Sequence, residues 1–455
     1  MSLKILMLAW EYPPDHVGGL GRHVCHLARA MTGKGARVTV LTRGVPGQPP
    51  ERDDSGVTVI SAQPYGLHPP DFVTWAAEFN VSLLETCNRL FSRGDFDLVH
   101  AHDWIVAYAA RALKHSWEVP LIATVHATEF GRQKGLHTPM QHHISETEWW
   151  LCYEAWKVIT CSRYMKDEVL RVFSVPGDKV EVIPNGISDS WFEVARRPDP
   201  EPLVIYVGRL VPEKGPHILV EAMSDVLIDF PTARLVLAGS GPMEGDLKKM
   251  IYERGLGKVV DMPGHLGDGA LKGLYSRSWV ACFPSSYEPF GIVALEAMAT
   301  GVPCVVGDAG GLREIVEDKV TGLVVPPEEA GALARAVKLL LGDRLLGGYL
   351  SENAKRIARE RFSWPDIAGR TLQVYEEVLN TRELVRLREE RPPLVSRKTL
   401  FRPPTQDRVF TTRVLRGEEK TEKSVVEEKA AAGSGDFLQE GSAQGAGGDR
   451  IFFDR

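Results

Sequence analysis

The sequence predicts an α/β protein of two doubly wound domains, and three observations carry that reading. At 455 residues the chain exceeds one ordinary domain and suits two. Short apolar strands alternate with helical stretches, the pattern of parallel sheets. Strand ends run repeatedly into glycine turns or polar clusters, where doubly wound sheets bind ligands. Composition agrees, since 44% hydrophobic and 25% charged residues describe a soluble globular chain. A formal net charge of -6 argues against nucleic acid as the main partner. No apolar run approaches the roughly 20 residues that span a bilayer, so no transmembrane segment is expected. The first ten residues lead into Glu11-Tyr12-Pro13-Pro14 without a small-residue cleavage site, and read as a buried strand rather than a signal peptide. Six scattered cysteines with no CxxC pair read as reduced thiols of a cytoplasmic protein.

Lys4 to Trp10 is the first strand. After a Pro/Gly loop, Gly18-Gly19-Leu20-Gly21-Arg22-His23-Val24 opens a helix running to about Gly33, and Arg37 to Thr42 is the second strand. Gly19-x-Gly21-x-x-Val24 imitates a dinucleotide fingerprint. The loop before it is too long, however, and Thr42-Arg43 stands where an acidic residue would be expected, so NAD is rejected. The glycines let the backbone approach a phosphate or sugar, or else make a plain tight turn. The strands Asp97 to Trp104 and Pro120 to Glu129 bring His100, His102 and Asp103, then His126 and Glu129, to one sheet edge. A single histidine there would suit the core; two strands ending in histidine and acid point to a site. Asp95-Phe96-Asp97 imitates a DxD metal motif but precedes its strand, which suits a turn cap. A helix from His142 to about Trp156 carries Trp149, Trp150 and Trp156, whose spacing suits core packing, with sugar stacking as the alternative. Strands Lys157 to Cys161 and Val180 to Ile187 follow, the second ending in the turn Pro184-Asn185-Gly186. The first domain is placed at 1–195, and the polar, proline-rich segment Arg196 to Pro202 reads as the linker.

The second domain, 196–362, starts with a strand from Leu203 that ends in Gly208-Arg209-Leu210, and Glu213-Lys214-Gly215 opens the next helix. Arg209 and Lys214 thus share one loop beside a helix mouth, which suits a diphosphate; on an exposed loop, two cations would otherwise be unremarkable. Leu235 to Ala238, Val259 to Leu266 and Val280 to Pro284 add strands, and the last leads into the stretch Ser285 to Gly301. There Pro289 suits a first helical position, Ile292 to Met298 are good helix formers, and Gly301-Val302-Pro303 supplies the stop. Glu288 then lies at the helix mouth and Glu296 roughly 12 Å further along the axis. Two carboxylates flanking a helix N-terminus suit a ligand with two sets of hydroxyls joined by an anionic bridge, the shape of a nucleotide sugar. Alone, such a pair would read as an amphipathic helix. Pro303 to Val306 and Gly310-Gly311-Leu312 repeat the strand and turn, and helices run from about Gly347 to Arg361 and from Trp364 to Asn380. Residues 390–455 read as a disordered tail ending near Ile451-Phe452-Phe453.

Trp10 to Pro14 with Gly18 to Gly21, Ala101 to Trp104, Thr124 to His126, Pro184 to Gly186, Gly208 to Leu210 with Glu213 to Gly215, and Glu288 to Gly291 with Glu296 occur in this order. In these motifs, from about Lys4 to Leu379, the chain resembles glycosyltransferase family 4, especially its bacterial glycogen-synthase-like α-1,4-glucosyltransferases. The resemblance implies the B-type fold of two Rossmann-like domains facing a cleft, with a helix near 363–382 returning to the first, acceptor-side domain. It implies anomer-retaining transfer from UDP-glucose or ADP-glucose to a glucan, with no cofactor and no bound metal. By that analogy Arg209 and Lys214 neutralise the departing diphosphate, Glu296 binds the ribose, and Glu288 with the Phe290-Gly291 backbone holds the hexose. His126 would lie near the sugar and the reacting centre, Gly18 and Gly19 near the phosphates, and Asp103 beside the donor and acceptor pocket. Asn185, Leu266, Tyr287 and Ile292 complete the expected substrate contacts. Many glycogen and starch synthases carry Lys-Val-Gly-Gly-Leu-Gly; His16 stands here in place of that lysine, which leaves the donor base open between ADP and UDP. Lipid, polyol or other saccharide acceptors, a nucleotide-sugar epimerase and a non-catalytic binding module are the alternatives.

Overall fold

The computed structural model describes residues 2–14, 18–45, 47–63 and 65–389, with the side chains of the last helix described through Leu384. His16 and the 390–455 tail lie outside the described residues.

Eight strands make the first sheet: β1 (Lys4–Leu8), β2 (Arg37–Arg43), β3 (Glu51–Asp54), β4 (Val57–Ala62), β5 (Leu98–His102), β6 (Leu121–Val125), β7 (Lys157–Thr160) and β8 (Val180–Val182). Their order is β3-β4-β2-β1-β5-β6-β7-β8. Every neighbouring pair is parallel except the β3–β4 hairpin. The central strands read as near-continuous apolar runs because helices cover both faces: β5 and β6 are buried at every residue. The covering helices are α1 (Gly19–Gly33), α2 (Phe72–Leu90), α3 (Ala107–Trp117), α4 (Glu129–Arg132), α5 (Pro139–Glu154) and α6 (Arg163–Phe173).

The second sheet has six strands, β9 (Leu203–Val207), β10 (Arg234–Ala238), β11 (Val260–Gly264), β12 (Val280–Phe283), β13 (Cys304–Gly307) and β14 (Leu323–Val325), in the order β11-β10-β9-β12-β13-β14. Its helices are α7 (Pro216–Asp229), α8 (Glu244–Glu253), α9 (Asp268–Arg277), α10 (Ile292–Thr300), α11 (Leu312–Ile315), α12 (Ala330–Gly342) and α13 (Arg344–Arg361). A final helix, α14 (Trp364–Glu389), leaves this domain. Its residues Trp364, Ile367, Ala368, Val374, Tyr375 and Val378 pack into the core of the first sheet with Ile5, Met7 and Val24.

The chain order of each sheet reverses beside its first strand, β1 between β2 and β5, and β9 between β10 and β12. Ligands of doubly wound sheets sit at such switch points. The loop after β1 opens α1 at Gly19, and the loop after β9 carries Arg209 and Lys214. Both sheets lie in one unit of the chain, Met1–Leu384. Contacts between them are specific: Ser162 Oγ donates to the Pro289 carbonyl at 2.7 Å, and the backbone amides of Arg163 and Tyr164, at the mouth of α6, donate to the Glu314 carboxylate at 2.9 Å each.

Two expectations need correction. Pro289 is not the first residue of a helix: α10 starts at Ile292, after Gly291 at φ 107°. The bend Glu288 to Gly291 is fixed from outside, by Ser162 on the Pro289 carbonyl and by the Gly311 amide on the Glu288 carbonyl at 2.8 Å. Trp149 is not core but 43% exposed, stacked on Tyr153 at 5.5 Å. Asp95 and Asp97 serve the backbone, accepting from the Ser92 and Lys4 amides at 2.7 Å each.

Candidate active site

A cavity of about 310 Å³ opens between the two sheets. Gly18, Gly19, His126 and Asn185 line it from the first domain. Arg209, Lys214, Leu266, Tyr287, Glu288, Phe290, Gly291, Ile292 and Glu296 line it from the second. Asp103 is not among the lining groups, nor are His100, His102 and Glu129 of the same two strand ends; the Asp103 carboxylate lies behind His126 and accepts from the His126 amide at 2.7 Å.

Two helix mouths face each other across the cavity. A Cβ placed on Gly19, at the start of α1, would lie 3.0 Å from the Ile292 side chain at the start of α10. Each mouth carries amide N–H groups without partners inside its helix and the positive end of the helix dipole. No acidic residue occupies the first turn of either helix. Close approach of backbone is built into the neighbouring turns as well. Gly239 sits at φ 148° where a Cβ would fall 1.8 Å from the Gly208 carbonyl oxygen, so only glycine lets these two loops meet.

The two carboxylates at the cavity are each met by a cation. Glu288 Oε2 pairs with Lys214 Nζ at 2.8 Å, both side chains largely buried. Glu296, with 1% of its side chain exposed, pairs with Arg22 of the first domain at 2.8 Å and accepts from Tyr275 Oη at 3.4 Å. Burial pushes the Glu296 carboxyl up to about 7, against the pull of the Arg22 charge. Arg209 reaches Glu213 at 3.4 Å, and its carbonyl accepts from Tyr206 Oη at 2.6 Å. Tyr287 and Phe290 are buried; the Tyr287 hydroxyl donates to Glu168 of the first domain at 2.9 Å, which holds the loop rather than offering a polar tip to the cavity.

On the opposite wall, burial and then the Arg132 charge push the His126 imidazole down to about 3, so the ring is neutral near pH 7. Asp103 holds φ 61°, ψ 173°, a conformation that favours glycine and costs a side-chain-bearing residue about 1–3 kcal/mol. Burial raises its carboxyl to about 6. The strained backbone is held because the Asp103 amide donates to the Thr124 carbonyl at 3.0 Å while its side chain ties down the next strand's end. His100, from the same motif, is structural: its ring bridges Thr124 Oγ1 at 2.7 Å and Tyr375 of α14 at 2.6 Å.

Sequence reasoning missed several lining groups, among them Arg22, Arg132, Ser240 and His265. Arg22 stood inside the glycine motif, and its readable signal was a cation one turn into a helix whose mouth faces a ligand. Arg132 follows His126 by six residues, at the end of the one-turn helix α4. Glu129 does not line the cavity; it is buried and pairs with Arg132 at 3.6 Å.

Two Rossmann-like sheets with a cavity at facing switch points, lined by cations, helix mouths and paired carboxylates, define the two-domain α/β GT-B class of glycosyltransferase. Residues 17–191 match the Glycosyltransferase Family 4 description, and residues 188–360 match Glycosyl transferases group 1. An uncharacterized glycosyltransferase of Methanocaldococcus jannaschii is 38% identical over 387 residues, covering 82% of this chain and 98% of the relative. A glycogen synthase of Mycobacterium tuberculosis is 37% identical over 390 residues, 82% and 94% of the respective chains. The solved sucrose-phosphate synthase of Thermosynechococcus elongatus superposes with a TM-score of 0.72 at 26% identity, covering 83% of this chain and all of that one. The chain belongs to this glycosyltransferase family and is a glycosyltransferase. Among the described residues no helix is long and apolar enough to cross a membrane, and the six cysteines are buried and free.

Proposed function

We propose that the protein is a cytoplasmic, anomer-retaining glucosyltransferase that moves glucose from UDP-glucose or ADP-glucose to the non-reducing end of an α-1,4-glucan. The observation that carries the donor reading is the pair of helix mouths facing one cavity, with Arg209 and Lys214 beside them and a carboxylate to either side. A diphosphate bridge would lie between the mouths of α1 and α10, the ribose at Glu296 and the hexose at Glu288. The glucan reading rests on the similarity to a glycogen synthase over nearly the whole of both folded regions.

In this reading the bond from the sugar C1 to the diphosphate oxygen breaks while the acceptor hydroxyl oxygen bonds C1 on the same face. The departing phosphate takes the hydroxyl proton. Arg209, Lys214 and the helix amides stabilise the charge that grows on the leaving group, which requires neither a metal nor a cofactor. Glu288 and the Phe290-Gly291 backbone orient the hexose, neutral His126 hydrogen-bonds near the reacting centre, and Asp103 positions His126 through its backbone.

Nucleotide release from UDP-glucose and ADP-glucose, each with and without a malto-oligosaccharide, tests the proposal. Acceptor-dependent release with lengthening glucans is expected, and Lys214→Ala should lower kcat by about 10²–10³-fold, the usual loss on removing a charge-stabilising donor. Glu288→Ala should abolish acceptor-dependent release. Release that ignores the glucan would transfer the reading to another acceptor, a lipid, polyol or different saccharide.

A further inference from the structure

Behind the cleft wall, His126 belongs to a cluster with two buried histidines, His23 and His102, to which the proposed transfer assigns no role. His23 of α1, His102 at the end of β5 and His126 beyond β6 each offer a ring nitrogen, all within 4.8 Å of one another. His102 Nδ1 and His126 Nε2 are 3.3 Å apart, and the His23 ring centroid lies 4.7 Å from that of His126 and 5.5 Å from that of His102. His23 and His102 are 5% and 0% exposed, and the Nε2 atom of each is buried with no hydrogen-bond partner.

We propose that His23, His102 and His126 form a site for a borderline transition cation of the Zn²⁺ class, and that its occupancy closes the cleft to donor sugar. Tetrahedral Zn²⁺ with bonds of about 2.0–2.1 Å sets its nitrogen ligands roughly 3.3 Å apart, the separation already present between His102 and His126. His23 offers its nitrogen within 4.8 Å of both. Its tautomer is prepared: the His23 Nδ1–H donates to the Asn185 side-chain oxygen at 2.7 Å, which leaves the lone pair on the orphaned Nε2. Outer-shell partners of this kind orient metal-bound imidazoles. The cluster is otherwise anchored, with Asp103 on the His126 amide and with His100, both of whose nitrogens are engaged, tilted against His102 at 4.1 Å between ring centroids. Three neutral imidazoles without a carboxylate select Zn²⁺, Co²⁺, Ni²⁺ or Cu²⁺ over Mg²⁺ and Ca²⁺. His126 lines the cavity, so the fourth coordination position faces the cleft.

The binding claim stands apart from the transferase reading; only its effect on turnover rests on that reading. The full-length chain, stripped with chelator and desalted, is titrated with Co²⁺ and followed by visible absorption. One equivalent with the intense band of a four-coordinate ion, displaced by Zn²⁺ and not by Mg²⁺, is expected. Titration calorimetry with Zn²⁺ should show affinity falling at least tenfold in His23→Gln and in His102→Gln, and about tenfold in Asn185→Ala, while His137→Gln, at an exposed histidine, stays at the wild-type value. Circular dichroism confirms that the variants fold. Absence of the band in the wild type overturns the proposal whatever the variants do, as does Zn²⁺ affinity unchanged in both His23→Gln and His102→Gln. Nucleotide release should be blocked by equimolar Zn²⁺ and restored by chelator in the wild type; release indifferent to bound Zn²⁺ overturns the closure. A Co²⁺ band in a chain that releases no nucleotide would sustain the cation site and sink the transferase reading instead.

Discussion

Glu296 gives the most decisive test of how the cleft is built. Its carboxyl is raised from 4.5 to about 7 by burial, with the Arg22 ion pair opposing. The folded chain therefore binds this proton more tightly than the unfolded chain does. Its contribution to stability is fully present below pH 4.5 and is lost as pH rises through about 7. The gap corresponds to roughly 3 kcal/mol when both ends of the window are crossed. Glutamine keeps the shape and the acceptor oxygen facing Arg22 and never ionises. Glu296→Gln should therefore gain on the wild type as pH rises, the difference in stability growing by about 3 kcal/mol across the window. Glu148, raised to about 8, and Asp103, raised to about 6, have the same sign but are present in both proteins and cancel in the comparison. Thermal melts of the two proteins from pH 4 to pH 8.5 measure the trend. A difference that is flat, or that shrinks with rising pH, would show that Arg22 outweighs burial and that the carboxylate is stabilised rather than penalised. Donor binding should move the other way: losing a charged acceptor for the ribose diol is worth about 1.5–3 kcal/mol, a rise in donor KM of roughly 10–100-fold. Stability gained together with function lost is the signature of a group kept for its ligand.

Three further outcomes follow from particular contacts. Gly239→Ala drives a methyl into the Gly208 carbonyl, 1.8 Å from the ideal Cβ position, and should give little folded protein; soluble yield and melting temperature check it. Ser162→Ala removes both the cap of α6, a bond from the Met165 amide at 3.0 Å, and the bridge to Pro289; a loss of about 1–2 kcal/mol with a raised donor KM is expected from melts and kinetics. Tyr375→Phe leaves His100 Nδ1 without its partner and should lower stability by about 1–2 kcal/mol while hardly changing kcat.

The sequence was most legible where local chemistry and fold agree. Every strand expected at a sheet centre is present, because parallel strands buried on both faces announce themselves as apolar runs. The glycine turn after β9 was readable for the same reason, since Gly208 and Gly215 hold φ 158° and 69° and positive φ leaves few alternatives to glycine. The β3–β4 hairpin was not readable. Glu51-Arg52-Asp53-Asp54 is a charged edge strand that exists only because β4 pairs with it, with Ser55 and Gly56 at φ 58° and 85° turning the corner. Pro289 was placed one turn too early, at the first helical position, because the groups that fix the bend, Ser162 and Gly311, are remote in sequence. The cavity's cations were half visible. Arg209 and Lys214 sit at a strand end, whereas Arg22 reaches Glu296 across 274 residues, a distance in sequence that no local pattern encodes.

The paired charges explain how one cleft can use two carboxylates and still accept a dianion. The hydroxyls of a sugar and of a ribose are best held by carboxylates, yet two bare carboxylates beside a diphosphate would repel it. Lys214 on Glu288 and Arg22 on Glu296 remove that conflict without removing the acceptor oxygens. Arg209 and Arg132 add two further cations to the lining, each with an acidic neighbour of its own in Glu213 and Glu129, so the wall keeps cationic groups that can turn to a diphosphate diester. Because Arg22 belongs to the first domain and Glu296 to the second, the same pair that balances the charge also joins the two walls. A donor that recruits Glu296 must loosen that joint unless Arg22 shifts onto the diphosphate. Charge balance and domain contact are therefore one device at this site, and replacing Arg22 with a neutral residue should weaken donor affinity and domain docking together rather than either alone.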